Sequence, residues 1–286
     1  ENNGGTDPGK YKVVLSLDAN CEWNDGTIGD KELEFAITAN KITVTWEYTG
    51  SKVYTGSVLP NPTAIAADGS IVINVTCDAT EFKNAGTYIF TATSTDKNYE
   101  ITNNTFEVTI GKIDNIITAN SSYSFTYSGN ANVLEDVSAL EGATISYKYL
   151  NTLTNKEVKE MVDAGTYKVT ISTTETANHK ATTKVVEVVV SPKELAVTWT
   201  NAADHEYTSN VFATPVATIT LDGNEMKLSV AEKDNKVFKD ADTYTFIASY
   251  DDTNYTLTGA TITVEVTKRV IQIPTIASKL YNGSLQ

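Results

Sequence analysis

The chain reads as all-β, a set of tandem immunoglobulin-like β-sandwich modules in a rod-like array, and three observations predict it. A short phrase, a tight turn followed by a tyrosine and an alternating apolar strand, recurs along the chain. Thr, Val, Ile and Tyr are abundant while Leu, Met and Arg are scarce, a balance that favours strands. No stretch of convincing length carries the helical period.

The phrase is clearest at Val162-Asp163-Ala164-Gly165-Thr166-Tyr167-Lys168-Val169. It returns as Lys83-Asn84-Ala85-Gly86-Thr87-Tyr88 and, with Asp242 in place of glycine, as Lys239-Asp240-Ala241-Asp242-Thr243-Tyr244. A weaker copy, Asp7-Pro8-Gly9-Lys10-Tyr11, lies near the start. A turn that delivers a tyrosine to the start of a strand is the corner of an immunoglobulin-like sandwich, where the tyrosine locks the chain just before it. The four tyrosines, Tyr11, Tyr88, Tyr167 and Tyr244, stand 77, 79 and 77 residues apart. A second landmark keeps the same register. Trp46, Ala119, Trp199 and Ile273 each precede by eight residues the tyrosine of a Tyr-x-Gly-like turn, at Tyr54, Tyr127, Tyr207 and Tyr281. A third, Trp23, Tyr99, His179 and Tyr255, falls 11 or 12 residues past each corner. A fixed period of this kind marks a repeat architecture.

Each module's strands follow from period-two alternation. The first strand puts Ile42, Val44 and Trp46 on one face, matched by Leu195, Val197 and Trp199, which places both tryptophans in the core. Glycine in Tyr-x-Gly supplies a positive φ. Middle strands are expected at 70–76 and 143–149. The corner strand alternates Tyr88, Phe90, Ala92 and Tyr167, Val169, Ile171; a last strand follows with Phe106-Val108-Ile110, Val186-Val188-Val190 and Ile262-Val264-Val266. The junctions at 110–113, 190–193 and 266–269 pass almost directly from last strand to first strand with no flexible linker. The expected division is therefore the second half of a module at 1–39, complete modules at 40–112, 113–192 and 193–268, and the first strands of a further module at 269–286. Two readings of the incomplete ends stay open: a window from a longer array, or half-modules that complete each other between chains by strand exchange.

Totals bound the function. At 286 residues the chain suits two to four modules, and 41% hydrophobic with 20% charged residues is ordinary for globular protein. A net charge of −14 argues against nucleic acid as a partner, because phosphate binding needs clustered cations. No apolar run approaches the roughly 20 residues of a membrane span, and residues 1–10 carry no signal-peptide core. The two cysteines, Cys21 and Cys77, occupy different positions of the repeat, which points to two buried thiols rather than a disulfide framework.

Candidate chemistry is sparse. His179 stands at the aromatic landmark and reads as packing; His205, in Ala203-Asp204-His205-Glu206, reads as loop. Neither assembles a nucleophile, base and orienting acid. Asp18, Asp96 and Asp251-Asp252 share one loop position across three modules, as calcium ligands would, but the remaining copy has Thr174-Glu175-Thr176 there and the loop reads as solvated. Trp23, Trp46 and Trp199 all sit at structural slots. The sequons at Asn74, Asn103, Asn120, Asn254 and Asn282 are expected by chance in so Thr- and Asn-rich a chain. No catalytic, cofactor-binding or metal-ligating residue is assigned. Between landmarks the 113–192 module is six residues longer than its predecessor, which makes 139–160 the best candidate for a binding loop.

With these motifs in view, the repeats resemble the bacterial immunoglobulin-like surface repeats of the MBG/YDG type. The resemblance rests on Ala-Gly-Thr-Tyr, on Asn98-Tyr99 and Asn254-Tyr255 after it, and on Tyr-x-Gly after the first strand. It covers essentially the whole chain. It implies an extracellular, cell-surface protein, a stalk or adhesin, and brings no catalytic residues. The expectation is a structural stalk segment whose partners are neighbouring modules, other copies by strand exchange, or a host protein or glycan.

Overall fold

The computed structural model describes residues 5–278. The Tyr281 landmark, the Asn282 sequon and the end of the 269–286 segment lie outside the described residues. Among those described there is no α-helix, only strands and one 3-10 turn at Leu140–Gly142. The fold is all-β, built as tandem β-sandwich modules. The chain forms two compact units.

The first unit gathers Glu1–Ile117, Ser138–Ile145 and Ser172–Thr183. It opens on an antiparallel pair, Gly9–Leu15 with Lys31–Ile37, in which Tyr11 faces Phe35 and Val13 faces Leu33. The sandwich after it begins with Asn40–Ile42, parallel to Tyr99–Ile101, and Val44–Glu47, antiparallel to Thr63–Ala66. The facing sheet runs Ile73–Cys77, Gly86–Ser94, Thr105–Ile110. Alternation of side chains sends Tyr88, Phe90, Val108 and Ile110 inward, each at most 8% exposed, against Leu59 and Phe82.

The second unit gathers Thr118–Val137, Ser146–Ile171 and Lys184–Gln286. One sheet is ordered Ser122–Thr126, Thr183–Ser191, Gly165–Thr173, Ile145–Asn151, Lys156–Val158. A second is ordered His205–Glu206, Thr261–Thr267, Thr243–Ser249, Ser229–Glu232, and it packs Phe238, Tyr244, Phe246, Val264 and Val266 into one core. Lys193–Ala196 again lies parallel to the strand after the corner, Tyr255–Thr258.

Several sequence expectations change. His205 is not loop. It starts a two-residue strand parallel to Val266 and Thr267, because the last strand supplies backbone partners there, the Thr267 carbonyl accepting the Tyr207 N–H at 2.9 Å; its ring stacks on Phe212 at 4.3 Å. Trp46 and Trp199 point to the predicted face but are half-buried, since their indoles close the core's edge and spend Nε1 on backbone carbonyls, Asn103 at 3.0 Å and Gly259 at 2.9 Å. The cysteines are unbonded; Cys21 is exposed in a polar turn rather than buried, whereas Cys77 is half-buried against the Phe82 core. The middle strands begin two or three residues later than expected, at Ile73 and Ile145.

Candidate functional site

The four tyrosines make the same bond. Tyr11, Tyr88, Tyr167 and Tyr244 donate their hydroxyls to the carbonyls of Asp7, Asn84, Asp163 and Asp240, each four residues upstream, at 2.6, 2.9, 2.7 and 2.9 Å. The ring fills the core and the hydroxyl pins the turn, so the backbone of that turn is presented in a fixed pose. Asp242, which replaces glycine, does not take the positive φ of Gly86 and Gly165, and it still accepts the Val266 N–H through its carbonyl at 2.9 Å.

What the pinned turn presents is taken up by an asparagine. In the first unit, Asn178 Oδ1 accepts the Ala85 N–H at 2.8 Å while its Nδ2 donates to Asn84 Oδ1 at 3.3 Å. In the second unit, Asn254 Oδ1 accepts the Ala164 N–H at 2.7 Å while its Nδ2 donates to Asp163 Oδ1 at 3.2 Å. The asparagine lies about 90 residues along the chain from the corner it holds, in the loop that opens the parallel strand of the next module. Beside each clamp an aromatic from that loop meets the Tyr-x-Gly tyrosine edge-on: Tyr54 with His179 at 5.5 Å, and Tyr127 with Tyr255 at 5.3 Å. A side-chain amide supplies one donor and one acceptor at fixed spacing, which is what two adjacent polar groups of the corner require. The clamp is thus a specific contact, within each compact unit, between segments about 90 residues apart, and the best-defined polar site among the described residues.

The loop carrying the asparagine is itself shaped by an acid. Asp252 Oδ1 accepts the Asn254 N–H and Asp96 Oδ1 accepts the Asn98 N–H, both at 2.9 Å; Asp18 plays the same part for Asn20 at 3.2 Å. The carboxylates considered as calcium ligands therefore act as local turn acceptors, and the described residues contain no group of three or more acidic, His or Cys side chains placed to hold a metal. In the copy lacking the aspartate, Glu141 substitutes from another segment. Its carboxylate accepts from Asn178 Nδ2 and Thr176 Oγ1, both at 2.7 Å, and faces His179 Nδ1 at 3.1 Å. The Asn178 amide, then the Thr176 hydroxyl, hold its carboxyl at about 2, well below the ordinary glutamate value. To reach there Glu141 adopts φ +53°, a left-handed conformation.

His179 is 4% exposed and packed, as expected. Part of the extra length at 139–160 is spent on Glu141; the remainder makes a hairpin, Ile145–Asn151 with Lys156–Val158. Trp23 donates Nε1 to the Gly29 carbonyl and lies under the Lys31 ammonium. Two sequon asparagines are occupied internally: Asn254 in the clamp, and Asn103, which bonds both the N–H and the carbonyl of Val44.

Asn-Tyr is visible in the sequence as a motif but not as a clamp, because its partner lies about 90 residues away. A core position six residues before Tyr88, Tyr167 and Tyr244 is filled by Phe82, Met161 and Phe238 at 2, 0 and 5% exposure, and is absent from the sequence reading. The signal was a large apolar residue at a constant offset from the tyrosine.

No protein-family model matches the chain, and no curated protein matches it. Among solved structures it is similar to Drosophila N-cadherin EC1-4, with 9% identity and a TM-score of 0.27 over 94% of this chain and 85% of that one. It is also similar to the N-terminal four Ig domains of Dscam1 isoform 9.44, with 10% identity and a TM-score of 0.27 over 81% and 72%. The assignment as tandem β-sandwich modules stands on the strand pairing and on the four tyrosine corners.

Proposed function

We propose that the chain is a structural segment, a stalk or rod portion of a bacterial cell-surface protein or extracellular filament, built from modules at 40–112, 113–192 and 193–268. The observation that carries this reading is the asparagine clamp, made with the same atoms at Ala85 and at Ala164. A repeated side-chain bond to backbone resists bending and twisting at a junction in a way that a short linker alone does not. Short junctions, a net charge of −14 that keeps neighbouring molecules apart, and the resemblance to bacterial surface repeats support the same reading, with the segment outside the cell.

Small-angle scattering of the whole chain tests it. The wild type is expected to give one narrow distance distribution, and the Asn178→Ala/Asn254→Ala double variant a broader one with unchanged strand content. A wild type as broad as the double variant overturns the structural reading.

A second reading, an adhesin that meets a host protein or glycan through a loop, has one feature in its favour: Leu153, at the tip of the 145–158 hairpin, is 86% exposed.

A further inference from the structure

The corner at Tyr244 carries the pinned tyrosine and the alanine of the clamped corners, with Asp242 in place of their glycine, but no asparagine. Its tyrosine is pinned to Asp240 at 2.9 Å. Ala241 stands where Ala85 and Ala164 stand, three residues before the tyrosine, and Asp240 where Asn84 and Asp163 stand. Ala85 and Ala164 are half-buried, whereas Ala241 is exposed, and among the described residues no side chain reaches its N–H. The aromatic half of the site is also in place. Tyr207 corresponds to Tyr54 and Tyr127, and its N–H is tied to the Thr267 carbonyl at 2.9 Å, as theirs are to Gly111 and Ser191. Tyr207, Ser209, Ala241, Lys268, Arg269 and Ile271 line an open groove of about 420 Å³.

The segment that follows the last strand, 268–278, forms no strand and is equally unpartnered among the described residues. Counted from the ends of the last strands, Ile271 corresponds to Leu195, five residues past Val266 and Val190. Leu195 is 7% exposed, whereas Ile271 is 82% exposed, and Val270 and Ile273 beside it are 82 and 89% exposed. Leu195 is covered because it pairs in parallel with Leu257, the strand that follows the clamp asparagine.

We infer that the surface formed by Tyr207, the Ala241 N–H, Asp240 and the segment at 269–273 is an acceptor for one kind of partner: a β-sandwich module that presents an asparagine–aromatic loop followed by a strand. The loop's amide bridges Ala241 N–H and Asp240, its aromatic meets Tyr207 edge-on, and its strand runs parallel to 269–273 and covers Ile271. The occupant is set by the two filled copies of the same surface in this chain. The inference rests on the clamp reading above and names the partner of its unfilled copy.

The test supplies such a module. Residues 1–271 are followed directly by a second copy of 196–268, which keeps the native segment through Ile271, and amide hydrogen exchange is measured in this chain and in the native one. The expected result is exchange at least roughly tenfold slower at Ala241 and at 269–273 in the extended chain, with the Ala241 effect lost when the added copy carries the change equivalent to Asn254→Ala. Protection within the added copy equal to that of the original 196–268, but no slowing at Ala241, overturns the inference, as does an added copy that fails to fold on a surface argued to receive it. The amides of Ala85 and Ala164 report separately: if they are unprotected in the native chain, the clamp reading itself fails, and if they are protected while Ala241 stays fast, only the acceptor assignment fails.

Discussion

At the scale of single residues, most of the chain's architecture is carried by a few atoms with unusual backbone or hydrogen-bond demands. Gly56 and Gly129 in the Tyr-x-Gly turns have φ of +78° and +79°, the left-handed values that glycine adopts without penalty. Ser209 occupies the same turn at φ +70°. A residue with a Cβ held there costs about 1–2 kcal/mol. Ser209→Gly is therefore expected to stabilise the second unit, by about 1 kcal/mol after the extra freedom of glycine in the unfolded chain is subtracted; chemical denaturation checks this, and an unchanged or lower midpoint refutes it. The position of this strain was legible in the sequence, because Tyr-Thr-Ser departs from Tyr-x-Gly at the one site where glycine has a reason to be.

At the scale of elements, the junctions differ in how they are fastened. Asn98 belongs to the same loop position as Asn178 and Asn254, and its carbonyl accepts the Asn40 N–H as theirs accept Ile113 and Lys193. Yet Asn98 Oδ1 is buried with no partner among the described residues. The reason lies in the corner it faces. Pro8 stands where the other corners have alanine, and proline has no N–H to give. Lys97 and Asp7 instead form an ion pair at 2.8 Å between side chains 69% and 46% exposed, a contact of small and salt-dependent value. Pro8→Ala is expected to restore the donor and slow exchange in the Gly9–Leu15 and Lys31–Ile37 pair, and a variant no better protected than wild type counts against the clamp at this junction.

The junction at Asn178 is fastened differently again, through Glu141. Its carboxyl is depressed from 4.5 to about 2 in the folded protein. A depressed acid stabilises the fold above its unfolded value and loses that contribution as pH falls toward the folded one, so the window runs from about 4.5 down to about 2. Other carboxylates titrate in the same window, and the informative quantity is a difference. Thermal unfolding of wild type is expected to weaken across it more steeply than that of Glu141→Gln. Parallel curves would show that the carboxylate's charge is not what holds Asn178.

At the scale of the whole molecule, charge and repetition act together. The net charge of −14 and pI near 4.6 give mutual repulsion at neutral pH that vanishes on acidification. The hydrodynamic radius is expected to be independent of concentration at pH 7 in low salt and to rise with concentration near pH 4.6. A radius that behaves identically at both values would mean that charge does not keep the molecules apart.

The sequence by itself determined the fold class, the period and the tyrosine corners, because each depends on contacts within a few residues or on side-chain alternation along one strand. Tyr167 and Asp163 are four residues apart, and Val186, Val188 and Val190 declare their face by parity alone. Only the tertiary structure decided what the asparagines do. Asn178 and Ala85 are 93 residues apart, and Glu141 reaches Asn178 from a separate segment, so no local pattern links them. The same limit explains His205, whose polar neighbours suggest loop while its strand partner, Val266, lies in a distant segment. Asp96 and Asp252, in a loop that the sequence reads as solvated, accept N–H groups two residues on, a contact as local as the tyrosine corners. A hydrogen bond between segments about 90 residues apart is specified by two local motifs that each look complete, and only the fold brings the donor of one to the acceptor of the other.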